Sequence, residues 1–328
     1  MSTDTQELLQ LLIKHCDGDL LLAKEIMLLL ANALKPSATT SDSSSDLASQ
    51  LLAAAVITPL SGGITNQNYL IELNDEKFVL RVGGKGTELL GINRKHEHLA
   101  SRIAAQLGIG AEVIFSDDSI NILLTSFISG QLLTSKSAAE PEILRQVAHC
   151  LQCYHNGPHF PGIFSPFETV RNYHKLATSH GVSFPYAVDR ALVIMERLER
   201  ALESKYDLRP CHNDLLSANF IDDGVCIRLI DWEYAAMGDP FFDLGNFAVN
   251  QELSEESSRQ LLEFYFGKVT QDDLIHLELM RLASDLRESF WGFLQSGLST
   301  LNFDFREYAL KHLDRFLKNV ADSPIINR

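Results

Sequence analysis

Apolar residues recur at helical spacing from the start of the chain. Leu8, Leu11 and Leu12, then Leu22, Ile26, Leu29 and Leu30, lie on either side of Asp17-Gly18-Asp19. That spacing predicts helices over residues 6–34 with a turn between them. Residues 36–46 are small and polar throughout. They carry too little apolar surface to offset their ordering entropy and predict a linker. After a short helical start over 46–55 the pattern turns to alternation and short apolar runs. Strands are predicted over 56–61, 68–73 and 78–82, with a turn at Asn74-Asp75-Glu76-Lys77. A helix follows, with Asn93 as its N-cap and Gly108 as its stop, and then strands over 112–116 and 121–127. From about Glu140 the pattern is mostly helical, broken near 210–231 by short β segments. The expected fold is α+β, in four parts: a helical extension over 1–35, a linker over 36–46, a small β-rich lobe over 47–128 and a large, mainly helical lobe over 129–328.

Length agrees, since 328 residues is about twice the usual domain. Lys and Arg number 28 against 43 Asp and Glu, a net charge of −15. Such a surface repels phosphate backbones and anionic membranes, which disfavours nucleic-acid or membrane partners and suits a small cation. The five cysteines are odd in number and form no framework, and no apolar run approaches a membrane span. The first Lys is Lys14, so the start lacks the basic character of a signal peptide. A cytoplasmic protein is expected.

One stretch carries chemistry. Cys211-His212-Asn213-Asp214-Leu215-Leu216-Ser217-Ala218-Asn219 is followed by the turn Asp222-Asp223-Gly224 and an apolar run ending in Asp231-Trp232-Glu233-Tyr234. The spacing H-x-D-x-x-x-x-N, with a later Asp at a strand end, matches the catalytic loop and metal-binding Asp of kinases. Phosphoryl transfer asks for one carboxylate to take or orient a hydroxyl proton, the role expected of Asp214. It also asks for hard oxygen ligands to hold Mg²⁺ on the phosphates of ATP, the role expected of Asn219 and Asp231. In the first lobe, Gly62 and Gly63, with Thr65 and Asn66, lie between two strands, where backbone N–H groups can cradle phosphate; a plain hairpin turn fits the same residues. Arg81 sits in the third strand, where a buried charge needs a partner, and Glu97 on the next helix is its expected partner. A salt bridge of purely structural role fits that pair as well.

These segments, together with Gly84-Lys85-Gly86-Thr87 and Gly238-Asp239-Pro240-Phe241-Phe242-Asp243, resemble the choline/ethanolamine kinase branch of the aminoglycoside-phosphotransferase-like superfamily. The resemblance runs from about residue 56 to 320. It implies a two-lobed, protein-kinase-like fold and an ATP- and Mg²⁺-dependent kinase that phosphorylates the hydroxyl of a cationic amino alcohol, choline or ethanolamine. By the same resemblance, backbone groups around Ser126, Phe127 and Ile128 contact the adenine, and Asp243 braces the catalytic loop. Trp291, Phe303 and Tyr308 are similar to the family's aromatic pocket, where ring faces attract an ammonium, although aromatic residues at helical spacing also fit a core. This chain departs from the eukaryotic pattern in having Leu294 where a second Trp stands and Asn250-Gln251-Glu252 where, after Gly245-Asn246-Phe247, an acid stands.

Other functions stay open. A thiamine or aminoglycoside phosphotransferase would use the same machinery with a different pocket. A non-catalytic binding module would have no need of Asp214, Asn219 and Asp231 together. The N-terminal helices are candidates for self-association or for recruiting a partner, and packing against the main body fits the same stripe equally well. A protein kinase is excluded, because only 232–242 separates Asp231 from Asp243, too short for a peptide-binding activation segment. The run of His and Cys over 149–159 reads as structural, having no second C-x-x-C to complete a zinc site.

Overall fold

The computed structural model describes residues 3–15, 20–34, 55–60, 65–84, 86–202 and 207–323. They fall into two compact units, one of residues 1–87 and 111–128 and the other of 88–110 and 129–328. The expected linker and the helical start over 46–54 lie outside the described residues, as do Gly62 and Gly63.

In the smaller unit, α1 (Thr3–His15) and α2 (Leu20–Ala33) accompany strands β1 (Val56–Leu60), β2 (Asn66–Leu73), β3 (Glu76–Gly83), β4 (Val113–Asp117) and β5 (Ile122–Ser126). The strands form one antiparallel sheet in the order β1-β2-β3-β5-β4. Asn74 and Asp75 take positive φ values of 51° and 65°, the turn geometry that suits the twist of a tight hairpin. Alternation sends Phe78, Leu80 and Val82 of β3 into the core. Leu8, Leu12, Ile26 and Leu30 of the two helices join Ile57, Ile71, Leu80 and Leu124 of the sheet in one apolar cluster. His15 Nε2 also donates to the carbonyl of Ile120 at 2.7 Å. The apolar stripe legible in the first 34 residues is thus used within this unit.

The larger unit is mostly helical: α3 (Arg94–Gln106), α4 (Ser135–Ala138), α5 (Pro141–His155), α6 (Pro166–Ser179), α7 (Ala187–Leu202), α8 (Pro240–Asn250), α9 (Glu255–Phe266), α10 (Gln271–Leu298) and α11 (Phe305–Asp322). Its short strands are β6 (Gln131–Leu132), β7 (Arg209–Cys211), β8 (Phe220–Asp222), β9 (Ile227–Leu229) and β10 (Ala236–Gly238). They make two antiparallel patches, β6-β8-β9 and β7-β10. Asn93 caps α3 by accepting from the amides of Lys95 and His96, and Gly108 follows its end at φ 72°. The helix groups with the larger unit because Ala100, Ile103 and Ala104 belong to that unit's core.

The 28-residue α10 is the spine of this unit, with Leu286, Phe290, Phe293 and Leu294 fully buried. Two glycines let other helices approach it closely. A Cβ on Gly245 of α8 would stand 2.9 Å from the backbone of Met280 and Arg281, and one on Gly292 would stand 3.0 Å from Ala309 and the Phe305 carbonyl. No helix among the described residues is long and apolar enough to cross a membrane. Gly245→Val should force α8 off α10 and cost ~1–3 kcal/mol, read as a lowered unfolding midpoint in denaturant. An unchanged midpoint would mean that the two helices have room for the side chain.

Candidate active site

The loop after β7 is shaped by one buried carboxylate. Asp239 caps α8 by accepting from the Phe241 amide at 2.9 Å, which sets the start of the helix and places Asp243 one turn in. Asp243 Oδ1 accepts the Asn213 amide at 2.7 Å. Its Oδ2 accepts the His212 amide at 2.8 Å, the Tyr154 hydroxyl at 2.6 Å and His155 Nε2 at 3.0 Å. Burial works to raise its pKa, but His155, His212 and the Tyr154 hydroxyl outweigh it and hold the carboxyl below its usual range. Asn213 takes φ 65° and donates through Nδ2 to the Tyr234 carbonyl at 3.0 Å, tying the loop to 231–234. Asn246, one turn beyond Asp243, accepts the Leu215 amide and donates to Ser284 at 2.8 Å.

This scaffold brings the three expected catalytic and metal residues together. Asn219 Nδ2 donates to the Asp214 carbonyl at 2.8 Å, so the oxygen of that carboxamide is the atom left to offer a cation. The Asn219 carbonyl accepts the Ile230 amide at 3.0 Å, and the Ile230 carbonyl accepts His212 Nε2 at 3.0 Å. Asp231 follows immediately, half-buried, with φ 68°, a strained value for a residue other than glycine. An amide oxygen beside a carboxylate is the hard donor set that fits Mg²⁺. Burial pushes the Asp214 pKa up to about 7 against the pull of Arg287, with Glu288, Asp231 and Glu233 adding to the rise.

The sequence reading missed a second group at this site. Arg287 of α10 is 1% exposed, and its Nη1 lies 3.1 Å from Asp214 Oδ1 while also contacting Glu288 Oε1. Its guanidinium stands 4.4 Å over the Tyr234 ring. Glu288 Oε2 accepts the Tyr308 hydroxyl at 2.7 Å. The expected aromatic residues meet there. Trp291 is 5.6 Å from Tyr308 and 5.8 Å from Phe305, and Phe303 is 6.1 Å from Tyr308. Trp291 is buried, Tyr308 half-buried and Phe303 exposed, while Leu294 is core. The acid beside these rings is Glu288, one turn before Trp291; near Asn250, Gln251 instead accepts the Ser217 hydroxyl at 2.8 Å. The available signal was the adjacent Arg287-Glu288 pair between Leu286 and the apolar Phe290-Trp291.

Glu97 is buried and accepts Arg94 Nη1 at 2.7 Å, and Arg94 also reaches Glu233 at 3.2 Å. In the smaller unit, Thr65 and Asn66 open β2, joined by Asn66 Nδ2 donating to Thr65 Oγ1 at 3.2 Å, and the Gly84 amide donates to the Thr65 carbonyl at 3.0 Å. Arg81 is half-buried on β3, opposite Asn68 and Leu123. The Ser126 amide donates to the Glu112 carbonyl at 2.9 Å and its hydroxyl accepts the Glu112 amide at 3.0 Å; Ile128, two residues on, is half-buried. His155, Cys211 and Asp243 place ligand atoms within 4.8 Å of one another. They make no metal site here: the Asp243 oxygens are filled by donors, and burial drives the Cys211 thiol far above its usual range.

The sequence model of the choline/ethanolamine kinase family matches residues 57–259. Protein LicA of Haemophilus influenzae is 29% identical over 274 residues, covering 80% of this chain and 79% of that protein. A probable ethanolamine kinase A of Dictyostelium discoideum is 28% identical over 300 residues, covering 79% and 84%. The crystal structure of a choline/ethanolamine kinase family protein from Mesorhizobium loti superposes with a TM-score of 0.73 at 26% identity, over 92% of this chain and 97% of that one. Aminoglycoside 2'-phosphotransferase-IIIa shares the fold at 15% identity, with a TM-score of 0.58 over 80% of this chain and 94% of its own. The architecture is therefore the two-lobed, kinase-like α+β fold common to both groups. With the family's model spanning well over half its length, the chain belongs to the choline/ethanolamine kinases, phosphotransferases whose acceptor is an alcohol.

Proposed function

We propose that the protein transfers the γ-phosphoryl group of ATP to the hydroxyl of a small cationic amino alcohol, choline or ethanolamine. One observation carries the reading: Asp214, Asn219 and Asp231 share a backbone network that also adjoins the Arg287–Glu288 pair and its aromatic residues. The acceptor hydroxyl lies on the Asp214 carboxylate, its oxygen bonds the γ-phosphorus, the β–γ bridging bond breaks, and the proton passes to Asp214 as ADP leaves. Asn219 Oδ1 and the Asp231 carboxylate would hold Mg²⁺, which neutralises charge on the phosphate oxygens when bound. We assign the phosphates to Arg81, Thr65, Asn66, Gly62 and Gly63, with Glu97 in support, and the adenine to Ser126 and Ile128. Trp291, Tyr308 and Phe303 take the ammonium. The net charge of −15 agrees with a cationic acceptor, and free thiols at Cys150, Cys153, Cys211 and Cys226 agree with a cytoplasmic setting.

ADP release should be metal-dependent and should require an amino alcohol. Turnover of thiamine or an aminoglycoside, with none of choline or ethanolamine, would move the protein to another acceptor class. Asp214→Ala should lose ~10²–10⁴-fold in kcat with the fold intact, and activity within threefold of wild type would refute its role. Truncating Arg81 or Glu97 should raise KM for ATP and leave KM for the acceptor unchanged; a change confined to the acceptor would reverse the assignment. Trp291→Leu keeps apolar bulk and removes the ring face. It should raise acceptor KM by roughly two- to thirtyfold at constant KM for ATP. Loss of thermal stability alone would mark Trp291 as core.

A further inference from the structure

We infer that Glu288 is the specificity-determining residue of the acceptor site: its carboxylate receives the amine end of the acceptor and favours a primary ammonium over a quaternary one. The inference rests on the amino alcohol kinase reading and names the acceptor within it.

Three features of the site lead there. The first is charge. Glu288 is 2% exposed, and a carboxylate so deeply buried must be paired. Its protein partners leave it part of its capacity, since Oε1 meets Arg287, Oε2 takes the Tyr308 hydroxyl, and each oxygen has a further lone pair. Arg287 divides its one positive charge between Asp214 and Glu288, so neither carboxylate has a cation to itself from this residue. Asp231 and Glu233 add to the negative field at Asp214. Burial opposes ionisation of Glu288, but Arg287 and then His312 overcome it, and the carboxyl stays below its usual range.

The second feature is spacing. A single nitrogen, Arg287 Nη1, touches both Asp214 Oδ1 and Glu288 Oε1, so the two carboxylates are at most two hydrogen-bond lengths apart. A 2-amino alcohol has its hydroxyl and its nitrogen on adjacent carbons. With the hydroxyl on Asp214, the nitrogen is within reach of Glu288. The third feature is the company of Glu288. Trp291 lies one turn further along the same helix face, and Tyr308 both hydrogen-bonds Glu288 and packs 5.6 Å from Trp291.

Ring faces attract any ammonium, with or without N–H groups. The carboxylate discriminates. A primary ammonium satisfies its remaining lone pairs, whereas a quaternary one displaces water and returns no hydrogen bond. Sites built to hydrogen-bond a substrate group reject the analogue that lacks it.

The test compares steady-state kinetics of the full-length protein on ethanolamine and choline at saturating Mg²⁺·ATP, for wild type and Glu288→Gln. Wild type should show the higher kcat/KM for ethanolamine. Glu288→Gln keeps shape and the Tyr308 contact but removes the charge. KM for ethanolamine should rise ~10–100-fold, that for choline distinctly less, and KM for ATP should hold. The ratio between the two acceptors is a readout that a purely structural role would not move. Turnover of ethanolamine with an unchanged KM in the variant, or equal losses for both acceptors, overturns the inference and leaves the kinase reading standing. Wild-type inactivity on both amino alcohols removes both. Should Glu288→Gln fail to fold, Arg287→Met/Glu288→Gln, which deletes both buried charges, replaces it. Loss of the ethanolamine preference there supports the inference, and its retention overturns it.

Discussion

Four donors converge on the buried carboxylate of Asp243: two main-chain amides, a tyrosine hydroxyl and a histidine ring nitrogen. A carboxylate with no exposure survives in a helical core only when its lone pairs are filled, and here the filling groups include the turn of the catalytic loop. The positions of Asp214 and Asn219 follow from that turn, and the Asn219–Ile230–His212 hydrogen bonds carry the constraint on to Asp231. The aromatic packing of Trp232 against Tyr154, Phe160 and His212 supports the same loop from behind. The site is rigid because its support is a helix start and a sealed core, and positioning of this kind supplies most of the catalysis in phosphoryl transfer.

The Arg287–Glu288 cluster has a different physical basis. Charged residues inside α10 would be costly alone, and they are retained as a chain of contacts: Asp214 to Arg287, Arg287 to Glu288 and the Tyr234 face, Glu288 to Tyr308. Farther along, Asp285 holds His312 at 3.1 Å and Arg315. One face of α10 thus packs apolar rings, and another carries the charges that connect Asp214 to Tyr308. The glycines at 245 and 292 let α8 and α11 approach closely enough for those short side-chain contacts.

Much of this was legible in the sequence wherever the information is local. The strands, the Asn93 cap, the 222–224 turn and the Asp214–Asn219–Asp231 spacing depend on residues a few positions apart, and all recur in the structure. The aromatic residues near the end were legible as a group, and their mutual contacts follow from the short segment between α10 and α11. The partners that bind these pieces were not legible. Arg287 lies 73 residues from Asp214, and Tyr154 lies 89 from Asp243. Hydrophobic periodicity reports which face is buried, but not which distant polar group a buried charge will meet. Arg94 was overlooked for the same reason: its pairing with Glu233 spans 139 residues. The N-terminal helices read equally as an appendage or as packed against the main body, because their covering sheet begins only at Val56 and the apolar stripe itself gave no sign of which surface would receive it.

Asp243 fixes the loop after β7 through the His212 and Asn213 amides, and hydrogen exchange at those two amides probes that constraint. Asp243→Asn preserves shape but replaces one acceptor oxygen with a donor that faces another donor. The account predicts that these two amides, strongly protected in wild type, exchange at least ~10-fold faster in the variant while amides of the α10 core keep their protection. Equal protection in the two proteins would contradict it and would show that the loop holds its shape without the carboxylate.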